Sequence, residues 1–249
     1  MRRVLGTLVA VALLLGVSLG TASAGTLTLT NWWVQGENAS ISAKYMDGST
    51  SYTQDITCGM GSFHATFDGA TLAGPLYCLD VFHTFSEVGK AWTNMTAVVV
   101  PPDPLNPPPW NTSEIAWAYN KYAQFGTTGV NVAGIQLALW EISHEEAWRA
   151  HYDSATWYTA KSANDSDFYV RSAGAGAVAY ATTVLSDVKD NYVAGAHLLY
   201  YDPQNQSDKE QTYSGKQGFV GDIPEPGSLL LLGLSLLGAA GLGWRRRRS

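Results

Sequence analysis

Nine residues, GIQLALWEI from Gly134 to Ile142, limit this chain more than any other stretch. On a helix, Ile135, Leu137, Ala138, Leu139, Trp140 and Ile142 leave it apolar around most of its circumference. Such a helix has no face for water and is buried. Gln136 stands out within it. A buried carboxamide costs free energy unless its oxygen and its NH2 group both find partners. The fold must therefore enclose this helix and meet it with polar groups at one point.

The flanking sequence names the walls. From Gly25 to about Phe85, TLTLTNWWV, ASISAKYM, GSFHATFDG and GPLYCLDVF read as strands, with turn residues in DGSTS and FDGATLAG between them. Val98–Trp110, VVVPPDPLNPPPW, is a proline-rich connection that continues neither strand nor helix. Past it the period changes. Thr112 or Ser113 can cap a helix that runs to about Phe125 and closes at Gly126. Asn131 can cap a second, with Ile135, Leu139 and Ile142 on one side. A third helical stretch covers about Asp167–Val193, and AHLLYYDP and QTYSGKQGFV read as two late strands. The class is α+β: a mostly antiparallel sheet with a helical segment inserted between its early and late strands.

The two ends belong to export, not to the fold. Residues 1–24 carry Arg2 and Arg3, an apolar run and a final ASA, which is a secretory signal peptide cleaved after Ala24. At the other end Leu229–Trp244 is apolar, and as a helix it rises about 24 Å, enough for a transmembrane helix with its flanking residues. Arg245, Arg246, Arg247 and Arg248 hold that end on the cytoplasmic side. Charged residues are only 14% of the chain, against about 25% in an average soluble domain, which suits an exported surface of neutral polar groups. Six of the fifteen Lys and Arg lie in the two ends, while the chain has twenty-one Asp and Glu. The exported part is acidic, and nucleic acid is excluded as a partner.

Pro224, Glu225 and Pro226, then the apolar stretch, then the four arginines resemble the PEP-CTERM sorting signal of Gram-negative bacteria. The resemblance covers about the last twenty-six residues. It implies an exosortase partner, anchoring through the C-terminal helix, and delivery to the cell surface or extracellular matrix. The chain then divides into residues 1–24 (signal peptide), 25–222 (exported domain) and 223–249 (sorting signal).

The exported domain has two cysteines, Cys58 and Cys78, and one disulfide between them is the bland expectation. A sharper one comes from Tyr77-Cys78-Leu79-Asp80 on a strand and Gln136-Leu137-Ala138-Leu139-Trp140 on the buried helix. These resemble the motifs of bacterial thioester domains, and the resemblance spans about Gly25–Phe219. It departs at Ile135, where many members carry Thr or Ser. It implies that the Cys78 thiolate displaces ammonia from Gln136 and leaves an acyl–sulfur bond for an amine-bearing surface to open. Tyr77 and Trp140 would wall that bond from water, and Asp80 or His83 would move the proton. Such a protein attaches covalently once. It is not a turnover enzyme, and no cofactor or metal is expected.

Two other classes compete. One is a non-covalent component of the envelope or biofilm matrix, with Cys58 and Cys78 bridged or left as thiols. The other is a hydrolase that uses Glu141 and Glu145 across an open cleft. HEEAWRAH, from His144 to His151, spaces its histidines seven apart, not the four of a zinc-protease helix, and reads as a solvated helix end. Asp202, Asp208 and Glu210 show no regular calcium-loop pattern.

Overall fold

The computed structural model describes residues 23–47, 50–79, 91–99, 111–145, 148–158, 168–193, 199–202 and 219–221. The signal peptide but for Ser23 and Ala24, the proline-rich connection beyond Val99, Asp80, His83, Asp208, Glu210 and the sorting signal lie outside them. The described part is α+β, with antiparallel strand pairs throughout.

Strand β1 runs without a break over Ser23–Asp47, where two strands were expected, and pairs with β2, Thr50–Phe67, along its length. Register shifts at Leu29/Asn31, Trp32/Val34 and Gln35/Asn38 replace the expected interruption. Bulges bend a strand without ending it. The bent β1 takes two partners on its other edge: β5 (Ala91–Val99) beside Ser23–Thr28, and β6 (Phe168–Ser172) beside Ser40–Ala43. At the far end of β2, Asp68 and Gly69 have φ of 50° and 80°, the positive values a two-residue hairpin turn requires, and lead into β3 (Ala70–Thr71). Asp68 Oδ1 accepts the Thr26 N–H at 2.7 Å and ties that turn to β1.

The remaining strands are β4 (Tyr77–Cys78), β7 (Leu199–Asp202) and β8 (Phe219–Gly221). Following the pairs gives β2-β1-β5-β7-β8-β4. Leu76, just before β4, exchanges both backbone hydrogen bonds with Phe63 of β2, each at 2.9 Å. The circuit is closed. A closed ring leaves these strands no free lateral edge at the join.

The helices are α1 (Thr112–Tyr122, followed by a 3-10 turn over Ala123–Phe125), α2 (Gly129–His144), the four-residue α3 (Trp148–His151) and α4 (Ala175–Asn191). Helix α2 is buried from Val132 to His144, as its composition demands. A Cβ on Gly36 of β1 would run into Met60 O, Val132 and Ala133, and one on Gly134 into Tyr180 and Ala177. Helix α2 therefore touches the sheet on one side and α4 on another, at backbone distance in both cases. Trp148 and Trp157 complete the core with fully buried rings.

Several local expectations are corrected. The cap of α1 is Asn111, in the left-handed region at φ 53°, not Thr112 or Ser113. Its Nδ2 donates instead to Ile142 O at 2.8 Å and Glu145 O at 3.1 Å, satisfying carbonyls left open at the C-terminal end of α2. Helix α2 is capped by Thr128, whose Oγ1 accepts the Asn131 N–H at 3.2 Å, so Asn131 lies inside the helix. The stretch Asp167–Val193 is not one helix. β6 occupies its start, and α4 begins after Gly174, where any side chain would overlap the Glu37 carboxylate.

Candidate functional site

The polar contact that Gln136 requires is Cys78. Leu76 pairs with β2, and two residues on, the N–H and C=O of Cys78 point the same way because strand geometry repeats every second residue. There they meet a side chain in place of another strand. The Cys78 N–H donates to Gln136 Oε1 at 3.3 Å, and Gln136 Nε2 donates to Cys78 O at 2.6 Å. The carboxamide thus continues the seam that Phe63 and Leu76 begin. Gln136 is 1% exposed and Cys78 7%, so the contact is dry.

The walls are aromatic. Tyr77 is fully buried, with its ring edge-on to Tyr119 at 6.1 Å, and Tyr119 donates in turn to Pro75 O at 2.5 Å. Burial pushes the Tyr77 phenol well above its ordinary range. The Ser62 hydroxyl beside it eases that rise, yet the two do not meet hydrogen-bond geometry. A Cβ on Gly126 would sit 2.5 Å from the Tyr77 oxygen, so glycine leaves that hydroxyl its room. Trp140 is buried one turn beyond Gln136, with an indole N–H that finds no acceptor among the described residues. Asp80 and His83 fall outside the described residues.

The disulfide is not formed. Cys58 lies within β2 opposite Ala39, half-buried, and Cys78 lies in β4, both as thiols. Burial pushes the Cys58 thiol up to about 11, which leaves it little thiolate at neutral pH.

The end of α2 was expected to be solvated and is not. Glu141, Ser143, His144 and Glu145 are all buried. The helix stops at His144, and Glu145 leaves in extended conformation, so the chain turns back onto the core. Ser143 Oγ donates to Leu79 O at 3.3 Å or Trp140 O at 3.1 Å and lies 2.7 Å from His144 Nδ1. Glu145 Oε2 accepts the Phe168 N–H at 3.3 Å. Ser143 therefore fastens the residue after Cys78 to α2, a second tie that its own sequence did not announce. Among the described residues Glu141 and Glu145 are each 4% exposed, with no open cleft between them for a hydrolase to use.

Comparison with known proteins identifies one segment. The model of the PEP-CTERM protein-sorting motif matches residues 222–248, the segment with Pro224, Glu225, Pro226 and the arginines. No curated protein and no solved structure matches the chain. The motif implies export, membrane anchoring before an exosortase acts, and then release to the cell surface or extracellular space.

Proposed function

We propose that this exosortase-sorted protein attaches covalently to amine-bearing surfaces through a thioester between Cys78 and Gln136. The observation that carries the reading is the pair of hydrogen bonds between the Gln136 carboxamide and the backbone of Cys78 itself. Those bonds hold the acyl group at the residue that bears the nucleophile, which is the larger part of making a slow acyl transfer feasible. They also bear on the chemistry. As sulfur attacks the amide carbon, negative charge grows on Oε1, where the Cys78 N–H already points. The carbon–nitrogen bond then breaks, the thiol proton goes to the departing nitrogen, and ammonia leaves. An incoming primary amine later takes the acyl group, forms an amide and returns the thiol. Tyr77 and Trp140, both buried, exclude water from the bond, and Asp80 or His83 carries the proton.

A second reading has an observation of its own. Both polar ends of Gln136 are already satisfied by β4, so the residue is explained as a substitute strand in a non-covalent matrix protein. Intact mass separates the two. The thioester predicts a mass low by one ammonia, about 17 Da, and uptake of methylamine that Cys78→Ala abolishes. A full mass with no uptake leaves the matrix protein.

A further inference from the structure

Between α1 and α4 the fold holds an ammonium group in a cage. Lys121 Nζ lies 2.5 Å from Asp187 Oδ2, 4.6 Å from the centre of the Trp117 ring and 5.7 Å from that of Tyr122. A carboxylate beside aromatic faces is the chemistry that selects an alkylammonium ion. Asp187 is also anchored from other sides. The Tyr122 hydroxyl donates to it, as does Asn191 Nδ2 at 2.8 Å. Partial burial pushes the Asp187 carboxyl up, but these donors and Lys121 outweigh it and hold it below its ordinary value. Lys121 itself has 45% of its side chain exposed, so the group that fills the cage is the one most easily moved.

Tyr180, two turns before Asp187 on α4, packs its Cβ against Gly134 of α2. It is close enough to both Tyr122 and Tyr77 to raise the ionisation of each. Tyr180 is thus electrostatically coupled both to Tyr122, which holds Asp187, and to Tyr77 of β4. The Tyr77 hydroxyl is fully buried, has no hydrogen-bond partner among the described residues, and is given room by Gly126. Its neighbour in the chain is Cys78.

We infer that the α1–α4 cage is a docking site for the primary ammonium of a lysine side chain or polyamine, and that Lys121 occupies it at rest. The inference deepens the thioester reading and rests on it for what the docked amine does next, though not for docking itself.

The test uses cadaverine and protein carrying Cys78→Ala, so that no covalent step intervenes. Calorimetric titration should show that adding Lys121→Ala tightens cadaverine binding at least fivefold, because the resident competitor is gone. Adding Asp187→Asn should cancel the gain. Asp190→Asn should leave it, since Asp190 lines a separate open cleft of about 370 Å³ with Tyr152 and Lys189. Trp117→Leu, which removes a ring and keeps the acid, should weaken binding severalfold and serves if Asp187→Asn does not fold. Equal affinity with and without Lys121, or a gain that survives both Asp187→Asn and Trp117→Leu, overturns the site. Ammonia loss in the parent with no docking sinks this site alone. Docking without ammonia loss keeps it as a reversible amine site and sinks the thioester.

Discussion

Cys58 and Cys78 are both strand cysteines of one ring, and their surroundings could hardly differ more. Cys58 sits inside an eighteen-residue strand, paired with β1 through Ala39, where burial alone acts on the thiol. Cys78 sits in a two-residue strand whose neighbour on one side is β8 and on the other a glutamine side chain. A long regular ladder satisfies its own backbone and leaves nothing for a side chain to do. A short strand leaves groups over, and the helix has to supply them. The proposed chemistry lies where regular pairing runs out.

The largest effect should come from breaking the contact that Cys78 has and Cys58 lacks. Gln136→Leu keeps the volume but strips partners from the Cys78 N–H and C=O, and should cost about 2–4 kcal/mol in urea unfolding. It should also abolish ammonia loss and amine uptake. Next is Gly126→Ala, whose new Cβ meets the Tyr77 oxygen and should cost about 1–3 kcal/mol by overpacking beside Cys78, read as a lower melting temperature.

Cys58→Ala sharpens the contrast from the other side. It should leave amine uptake intact and cost about 1 kcal/mol, where Cys78→Ala ends uptake. In the parent at pH 8, iodoacetamide should modify Cys58 about 100-fold more slowly than an ordinary thiol, because its ionisation is raised from 9.0 to about 11. The linked stability is full below pH 9 and falls as pH rises toward 11, since only the unfolded chain ionises there.

The smallest effect lies outside the seam. Lys121 is well exposed, so Asp187→Asn should cost under about 1 kcal/mol at neutral pH. Because the folded carboxyl is held below 3.8, that difference should be present above 3.8 and vanish as pH falls through the lower folded value. A difference that persists in stronger acid would deny the carboxylate its role.

The buried helix was legible because an apolar run has one physical solution, and its glutamine because a buried carboxamide must find polar partners, which the Cys78 backbone supplies. What stayed hidden depended on distant partners. Gln35–Asn38 looks like a turn, and only pairing on both edges makes it a bulge in one strand. Phe168–Ser172 merges with the small residues of α4 because five residues beside β1 carry little signal of their own. Asn111, not Thr112 or Ser113, precedes α1 as its cap residue, and the carbonyls its side chain serves lie thirty-one and thirty-four residues away. The ring closure could not be read at all, since β4 is two residues long.

Strand β8 ends at Gly221, and the sorting segment begins at residue 222. Phe219, at its start, stands opposite Cys78. Whatever tension the anchored tail carries therefore enters the domain through three residues and reaches Cys78 across one strand spacing. Under the proposed thioester, tether and grip are mechanically in series, and most of the domain lies outside the line of force.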